Sequence, residues 1–261
     1  MQKNAAFFTS TRKCLQRRRR NFTSGEYGII YSAEKGTNVA DLFNARQGDA
    51  KVYYDLVKEH LSKEDECLEI GSASGYFLAY IRDKVKSATG MESHEAMRDY
   101  SNKIGVDTKK GFEGLEGKKF DKIFMFFVLE HIGEPVEFFG KLKKHLKEGG
   151  KLFIEVPNVR DALLELYKVP AFPEFYFTPA HVYYYSKDTL AKMLAKAGFE
   201  KYEIKEFQRY DISNHINWMM NGKPGGAGKY DAVFSMEMRE EYKRCLERNK
   251  TCDGLLAIIE G

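Results

Sequence analysis

The chain has 261 residues, of which 43% are hydrophobic and 31% are charged, and its formal net charge is +4. This composition is ordinary for a globular protein. The length suits one large domain, or one domain with a small appendage. No apolar run reaches the roughly 18 residues that a membrane-spanning helix needs, and the longest run, residues 123–129, suits a buried strand.

The positive charge is concentrated at the N-terminus. The first 25 residues carry seven basic residues and no acid, including the run Arg17–Arg20, whereas the remainder has a net charge of −3. We therefore expect a basic, irregular arm over residues 1–45. Such an arm is typical of a solvated tail, of a mitochondrial presequence, or of a segment that contacts anionic lipid or nucleic acid.

The cysteines indicate a reducing compartment. The four of them form no C-x-x-C pair and show no zinc-ligand spacing with histidine; they are Cys14, Cys67, Cys245 and Cys252. We expect a cytoplasmic protein, with a mitochondrial location as the alternative that the arginine-rich arm leaves open.

Strand and helix patterns alternate along the first two thirds of the chain. A helix over residues 49–61 precedes strands that are predicted at residues 66–70, 87–93, 105–111, 120–127 and 149–157. Helical patterns of 10–14 residues separate most of these strands, at residues 75–85, 94–104 and 134–146. This alternation predicts a mostly parallel sheet with helices on both faces.

The pattern changes after Pro157. An aromatic and proline-rich, lid-like segment covers residues 166–186, and a helix begins at its last residue, Ser186. Strands are predicted at residues 201–208 and 255–261, which makes seven strands in all. Between them lies an insert, residues 209–250, with a turn-rich part at 214–226 and a charged helix at 235–248. We therefore place the catalytic domain at residues 46–261.

The stretch CLEIGSASGYF, residues 67–77, joins the first strand to a helix through a turn with two glycines. Such a turn lets a ligand approach the backbone N–H groups at a helix N-terminus. The dinucleotide fingerprint G-x-G-x-x-G fails, because Ala73 and Tyr76 stand where its second and third glycines would be. The spacing instead resembles motif I of class I S-adenosylmethionine-dependent methyltransferases, acidic-x-G-x-G-x-G, with Ala73 in place of the middle glycine.

That resemblance covers residues 50–210 and implies an α/β, Rossmann-like fold with S-adenosylmethionine as the cofactor. In this family the acid that ends the second strand, here Glu92, binds the ribose hydroxyls, and the acid of motif I, here Glu69, orders the loop near the methionine amine. The predicted cofactor-binding residues are Glu69, Gly71, Ser72, Ala73, Gly75, Tyr76, Glu92, Phe112 and Phe127. Among these, Phe112 is expected at the adenine edge, with core packing as the alternative.

Two histidines are candidates for activating a methyl acceptor. His131 follows the fourth strand, where ligands bind in open α/β sheets, and His181 lies in the lid-like segment. The Glu-His pair that includes His131 resembles that of many small-molecule O-methyltransferases, and the surroundings of His181 resemble those of the ubiquinone-biosynthesis-like and sugar O-methyltransferases. This resemblance implies that the two histidines meet over the transferred methyl. The stretch at residues 209–226 resembles the tail of capsule and O-antigen methyltransferases. The expected acceptor is a small molecule or glycan precursor, with catalysis by a histidine base.

Several alternatives stay open at this point. Magnesium-dependent small-RNA methyltransferases carry E-x-x-E-H, but Phe127 occupies the first acidic position here, so no metal site is predicted. An RNA methyltransferase is a second hypothesis, and a non-catalytic cofactor-binding scaffold is a third. Because the chain after residue 25 is mildly acidic, nucleic acid is not the expected partner. A homodimer is allowed. Trp218 is expected either at a sugar-binding site or in a packing contact.

Overall fold

In the computed structural model, the structure describes residues 38–261, so the arginine run of the arm lies outside the described residues. A single seven-stranded sheet runs through the domain in the order β3-β2-β1-β4-β5-β7-β6. The strands are β1 (Glu66–Ile70), β2 (Ser87–Met91), β3 (Asp107–Lys109), β4 (Phe120–Phe126), β5 (Leu146–Pro157), β6 (Tyr202–Phe207) and β7 (Gly254–Glu260).

Ten α-helices accompany the sheet in this part of the chain. They are α1 (Val39–Ala45), α2 (Gln47–Val57), α3 (Tyr76–Ile81), α4 (Glu95–Lys103), α5 (Pro135–Leu142), α6 (Ala162–Glu165), α7 (Phe172–Tyr176), α8 (Lys187–Lys196), α9 (Ile212–Asn221) and α10 (Met236–Arg248). None of these helices is long and apolar enough to cross a membrane.

The two faces of the sheet carry separate hydrophobic cores, which explains why its central strands read as nearly continuous apolar runs. In β4, Ile123 and Met125 pack into one core. Phe124 and Phe126 pack into the other core, with helices α2 and α3. The strand therefore has almost no solvated side, and its carboxyl end is held firmly in place.

The predicted fold is confirmed. Strands β1 to β5 pair in parallel, and β7 runs antiparallel between β5 and β6. The carboxyl ends of β1, β4, β5 and β6 therefore meet at one edge of the sheet. In an open α/β sheet this edge is where ligands bind.

Two segments differ from the sequence-based expectation. Helix α1 lies inside the arm that was expected to be irregular through residue 45, so regular structure begins before residue 46. Helix α9 replaces part of the turn-rich insert, because Asp211 caps its N-terminus and Gly222 ends it in the left-handed conformation.

The packing of α9 decides between the two roles considered for Trp218. Its side chain is only 3% exposed. It packs edge-on against Phe172, with ring centroids 4.9 Å apart, and lies 5.0 Å from Phe175. Trp218 therefore joins the insert to the lid-like segment in a small apolar cluster, and it does not offer an open face for stacking on a sugar.

Candidate active site

The glycine turn after β1 is held in a left-handed backbone conformation. Gly71, Ala73 and Gly75 have φ angles of 70°, 47° and 78°. A Cβ atom on Gly71 would lie 2.5 Å from Cγ2 of Val128, and one on Gly75 would overlap the Ser101 hydroxyl. The turn thus passes close to β4 and α4, and both glycines are required by sterics as well as by φ.

Two buried polar groups of this turn lack hydrogen-bond partners within the described residues. Glu69 is 2% exposed and Ser72 is 1% exposed. Oε2 of Glu69 and the Ser72 hydroxyl oxygen have no partner there. Burial, and then the nearby charge of Glu92, raise the pKa of Glu69 well above its ordinary value.

These observations fit the predicted cofactor. S-adenosylmethionine carries an ammonium and a sulfonium, so a buried carboxyl group with an unused oxygen is complementary to it. The left-handed glycines meanwhile bring the main chain within reach of a ligand. Glu69, Ser72 and the backbone of residues 71–75 would hold the cofactor.

Glu92 lies across the turn from Glu69, just beyond the end of β2. Its Oε2 accepts the N–H of Ala73 at 2.9 Å, and its Oε1 accepts the N–H of His94 at 2.7 Å. The carboxylate therefore connects the glycine turn to the start of α4. The bond to Ala73 explains how this non-glycine residue is held at positive φ, and the ribose role of Glu92 stays a prediction.

Tyr76 and Phe127 border the same edge of the sheet. The Tyr76 ring lies against Tyr53 of α2, with centroids 6.2 Å apart. Phe127 has a φ of 55°, a strained conformation for an aromatic residue. Its N–H is bonded to the Glu155 carbonyl at 3.0 Å, so the chain turns sharply at the end of β4.

Phe112 has a different environment. It lies in a short turn, Phe112–Leu115, between β3 and β4. Its ring stacks on His145 at 5.4 Å and is tilted against Phe138 at the same distance. These contacts correspond to the core-packing alternative; a role at the adenine edge stays a prediction.

The two candidate histidines come together as predicted. Their ring centroids lie 4.8 Å apart with an interplanar angle of 72°. The lid-like segment is attached to the end of β4 by Val182 N–H, which donates to the Glu130 carbonyl at 2.8 Å. Nδ1 of His131 lies 3.0 Å from the Ala180 carbonyl, which assigns the proton to Nδ1.

Both imidazoles are in surroundings that disfavour the charged form. Burial lowers the pKa of His181 to about 4, assisted by the charge of His131. Burial also lowers the pKa of His131, although its bond to Ala180 opposes this. Both rings are therefore neutral near pH 7 and can accept a proton or bind a ligand through a nitrogen lone pair.

Glu130 is a site residue that the sequence analysis did not select. It is 1% exposed, and neither carboxyl oxygen has a hydrogen-bond partner among residues 38–261. Burial raises its pKa to about 8. One ligand atom from each of Glu130, His131 and His181 lies within 4.8 Å of the others; the adjacent Glu and His in the sequence were the available signal.

A second missed pair lies behind Phe127. The Arg209 guanidinium forms an ion pair with fully buried Glu155 and lies over the rings of Phe127 and Tyr53, at 4.8 and 5.1 Å from their centroids. Burial raises the pKa of Glu155 to about 7, and Arg209 opposes that rise. The pair links the carboxyl ends of β5 and β6 to that of β4.

Comparison with known proteins agrees with this geometry. Residues 39–204, more than half of the chain, match a family model described as a methyltransferase domain. The chain belongs to this methyltransferase family. The predicted class, an S-adenosylmethionine-dependent methyltransferase with the Rossmann-like fold, is thereby confirmed.

Individual relatives are distant. The chain is 25% identical over 191 residues to a tRNA U34 carboxymethyltransferase of Sulfurovum sp., covering 67% of this chain and 61% of that one. It is 27% identical over 187 residues to the enzyme of the same name from Wolinella succinogenes, covering 64% of each. The chain therefore spans less than two thirds of the length of these relatives.

A solved structure shares the fold. A SAM-dependent methyltransferase from Archaeoglobus fulgidus superposes with a TM-score of 0.58 at 17% identity, over 90% of this chain and all of that one. At this identity the similarity concerns the fold alone.

Proposed function

We propose that this methyltransferase domain transfers the methyl group of S-adenosylmethionine to a hydroxyl oxygen of its acceptor, with His131 and His181 activating that hydroxyl. The observation that carries the proposal is the meeting of these two neutral imidazoles, with ring centroids 4.8 Å apart, at the carboxyl end of β4. Gly71 approaches Val128 at the same end of that strand, which supports placing the donor and the acceptor side by side.

When bound, S-adenosylmethionine supplies a methyl group on a positively charged sulfur. Glu69, Glu92 and the glycine turn hold it in place, and such positioning contributes much of the rate of an in-line transfer. The acceptor hydroxyl must lose its proton during the transfer. A neutral imidazole within hydrogen-bond reach can accept it, which supports an oxygen acceptor.

The acceptor that we place first is a small molecule or a glycan precursor. Residues 38–261 carry 34 lysines and arginines against 36 acids, whereas affinity for nucleic acid rests largely on basic contacts to phosphates. The lid-like segment supports a small acceptor as well, because its backbone is bonded directly to Glu130 beside the histidines.

A tRNA acceptor is the second candidate, because the relatives from Sulfurovum and Wolinella are named as tRNA-modifying enzymes. This similarity argues against the expectation that nucleic acid is not the partner. The names of these relatives also include a carboxymethyl group, which is anionic. Among the described residues at this end of the sheet, the buried Arg209 is already paired with Glu155 and is not available for such a group, so we propose that plain methyl is transferred.

The test is a transfer assay with S-adenosylmethionine labelled in the methyl group. The acceptors are a panel of sugar nucleotides and phenols, and unmodified tRNA in parallel at low and high salt. Label in a small hydroxyl compound supports the first candidate, and salt-sensitive label in tRNA supports the second. Label in neither, from a protein that binds S-adenosylhomocysteine, would contradict the proposal and support the scaffold hypothesis.

A further inference from the structure

The cluster of Glu130, His131 and His181 has the composition of a metal site. It combines one carboxylate with two imidazoles, and one ligand atom from each residue lies within 4.8 Å of the others. Zinc sites with three protein ligands and an open position use such sets, including two histidines with a glutamate. The open position is where a substrate oxygen binds.

The carboxylate provides an independent observation. Glu130 is almost completely buried, yet neither of its oxygens is hydrogen-bonded within the described residues. An unsatisfied buried polar group costs about 1–3 kcal/mol, and more when it is charged. A cation bound to one or both of these oxygens would offset the free-energy cost of burying the carboxylate.

The orientation of His131 supports the same conclusion. Its Nδ1 lies 3.0 Å from the Ala180 carbonyl, so Nδ1 carries the proton and Nε2 carries the lone pair. Metal-binding histidines characteristically donate the proton of their second ring nitrogen to a carbonyl or carboxylate. The same segment then continues directly to His181, which places the second imidazole next to the first.

We infer that Glu130, His131 and His181 form a binding site for one divalent ion of the zinc type, with its open position facing the acceptor. Bonds of about 2.0–2.1 Å to such an ion require its ligand atoms to lie roughly 3.4 Å apart. The side chains therefore close by about an ångström when the ion binds. A set of two nitrogens and one oxygen favours zinc or cobalt over magnesium, which prefers oxygen ligands.

The role of the ion rests on the proposed function, whereas its binding does not. With the ion bound, His131 and His181 would activate the hydroxyl through the ion and not as bases. The ion would lower the pKa of a hydroxyl bound to it, and the hydroxyl proton would pass to solvent. The oxygen then forms its bond to the methyl carbon as the carbon–sulfur bond breaks and its electron pair stays on sulfur. S-adenosylhomocysteine and a methyl ether are the products, and no oxidant or reductant is needed.

The experiment titrates Co²⁺ and Zn²⁺ into the EDTA-treated, dialysed full chain. Binding is followed by the visible absorption of Co²⁺ and by calorimetry. We expect one ion per chain in the wild type, and loss of this binding in Glu130→Gln and His181→Asn. His145→Asn is the matched control, because Nδ1 of His145 also lies 3.0 Å from a carbonyl oxygen, that of Lys118. We expect this variant still to bind one ion per chain.

Retained binding of S-adenosylhomocysteine shows that each variant is folded. No stoichiometric ion in the wild type, or unchanged binding in both site variants, would overturn the inference. If the ion binds but the metal-free protein methylates a hydroxyl equally well, the catalytic role of the ion is overturned while the proposed function stands. If the ion binds but no hydroxyl is methylated, the site exists and the proposed function fails.

Discussion

His131 and His181 lie with their ring centroids 4.8 Å apart although they belong to different segments of the chain, one after β4 and one in the lid-like segment. The Val182 N–H bond to Glu130 and the Ala180 carbonyl beside His131 hold the two segments together. The site is therefore built by tertiary contacts between a rigid strand end and a proline- and aromatic-rich loop.

Replacing His181 by alanine tests the catalytic role of this pair. We expect kcat to fall by about 100-fold or more, as is typical when a group that handles the acceptor proton is removed. The affinity for S-adenosylhomocysteine should stay unchanged, because the glycine turn is untouched. Steady-state kinetics and calorimetry measure the two effects, and full activity in this variant would place proton removal elsewhere.

Gly71→Ala tests the close approach of the turn to β4. The added Cβ meets Val128, and the φ of 70° is unfavourable for alanine. Gly117→Ala is the matched control, since Gly117 has a φ of 72° with open space around it. We expect Gly71→Ala to lower the free energy of unfolding by about 1–3 kcal/mol more than the control does, as measured by urea unfolding.

The same comparison separates strain from ligand binding. Gly71→Ala should also weaken the binding of S-adenosylhomocysteine, whereas Gly117→Ala should not. Equal effects of the two variants on stability and affinity would show that backbone conformation alone matters at Gly71 and that the contact with Val128 does not.

Ala73→Gly tests the departure from the family motif. Ala73 has a φ of 47°, and a left-handed alanine costs roughly 1–2 kcal/mol, of which the greater freedom of glycine in the unfolded chain offsets about 0.5–1 kcal/mol. We expect a modest gain in unfolding free energy with cofactor affinity retained. Ala79→Gly, within helix α3, is the control and should destabilise the fold; a loss of stability in Ala73→Gly would contradict the account.

His215 gives a prediction about pH and stability. It is buried, its Nδ1 lies 2.6 Å from the Tyr242 hydroxyl, and burial lowers its pKa to about 4. Its folded pKa lies below the ordinary value near 6.5, so its contribution to stability is present above pH 6.5 and is lost as the pH falls towards 4. His215→Asn should therefore lose less stability than the wild type over this range.

Urea unfolding of both proteins between pH 7 and pH 4.5 measures that difference, in which other titrating groups largely cancel. Parallel pH profiles for the two proteins would show that His215 takes up its proton equally in the folded and unfolded states.

The fold could be predicted from the sequence because its central strands are buried on both faces and alternate with helices. The predicted bounds of β1, residues 66–70, agree with the structure, and the strand end at Pro157 is also confirmed. Helix α9 was missed, because Asn214, Gly222 and Pro224 suggested turns, whereas the burial of His215 and Trp218 stabilises a helix there.

The site was predictable only in part. The glycine turn and Glu92 are local features, and the structure places them as expected from the motif. Glu130 was not selected because an acid after a strand is also typical of a helix start, and only the fold shows that it is buried beside both histidines. The Arg209–Glu155 pair joins two distant strand ends and left no local pattern in the sequence.

Calorimetric titration of S-adenosylhomocysteine into the wild type and into Glu92→Ala, with Gly117→Ala as the control, tests the cofactor site at the glycine turn most directly. We predict one-to-one binding to the wild type and the control, and strongly weakened binding to Glu92→Ala, because Glu92 holds the turn through the N–H of Ala73. Absence of binding to folded wild type, or equal binding to Glu92→Ala, would contradict the assignment of this edge of the sheet as the cofactor site.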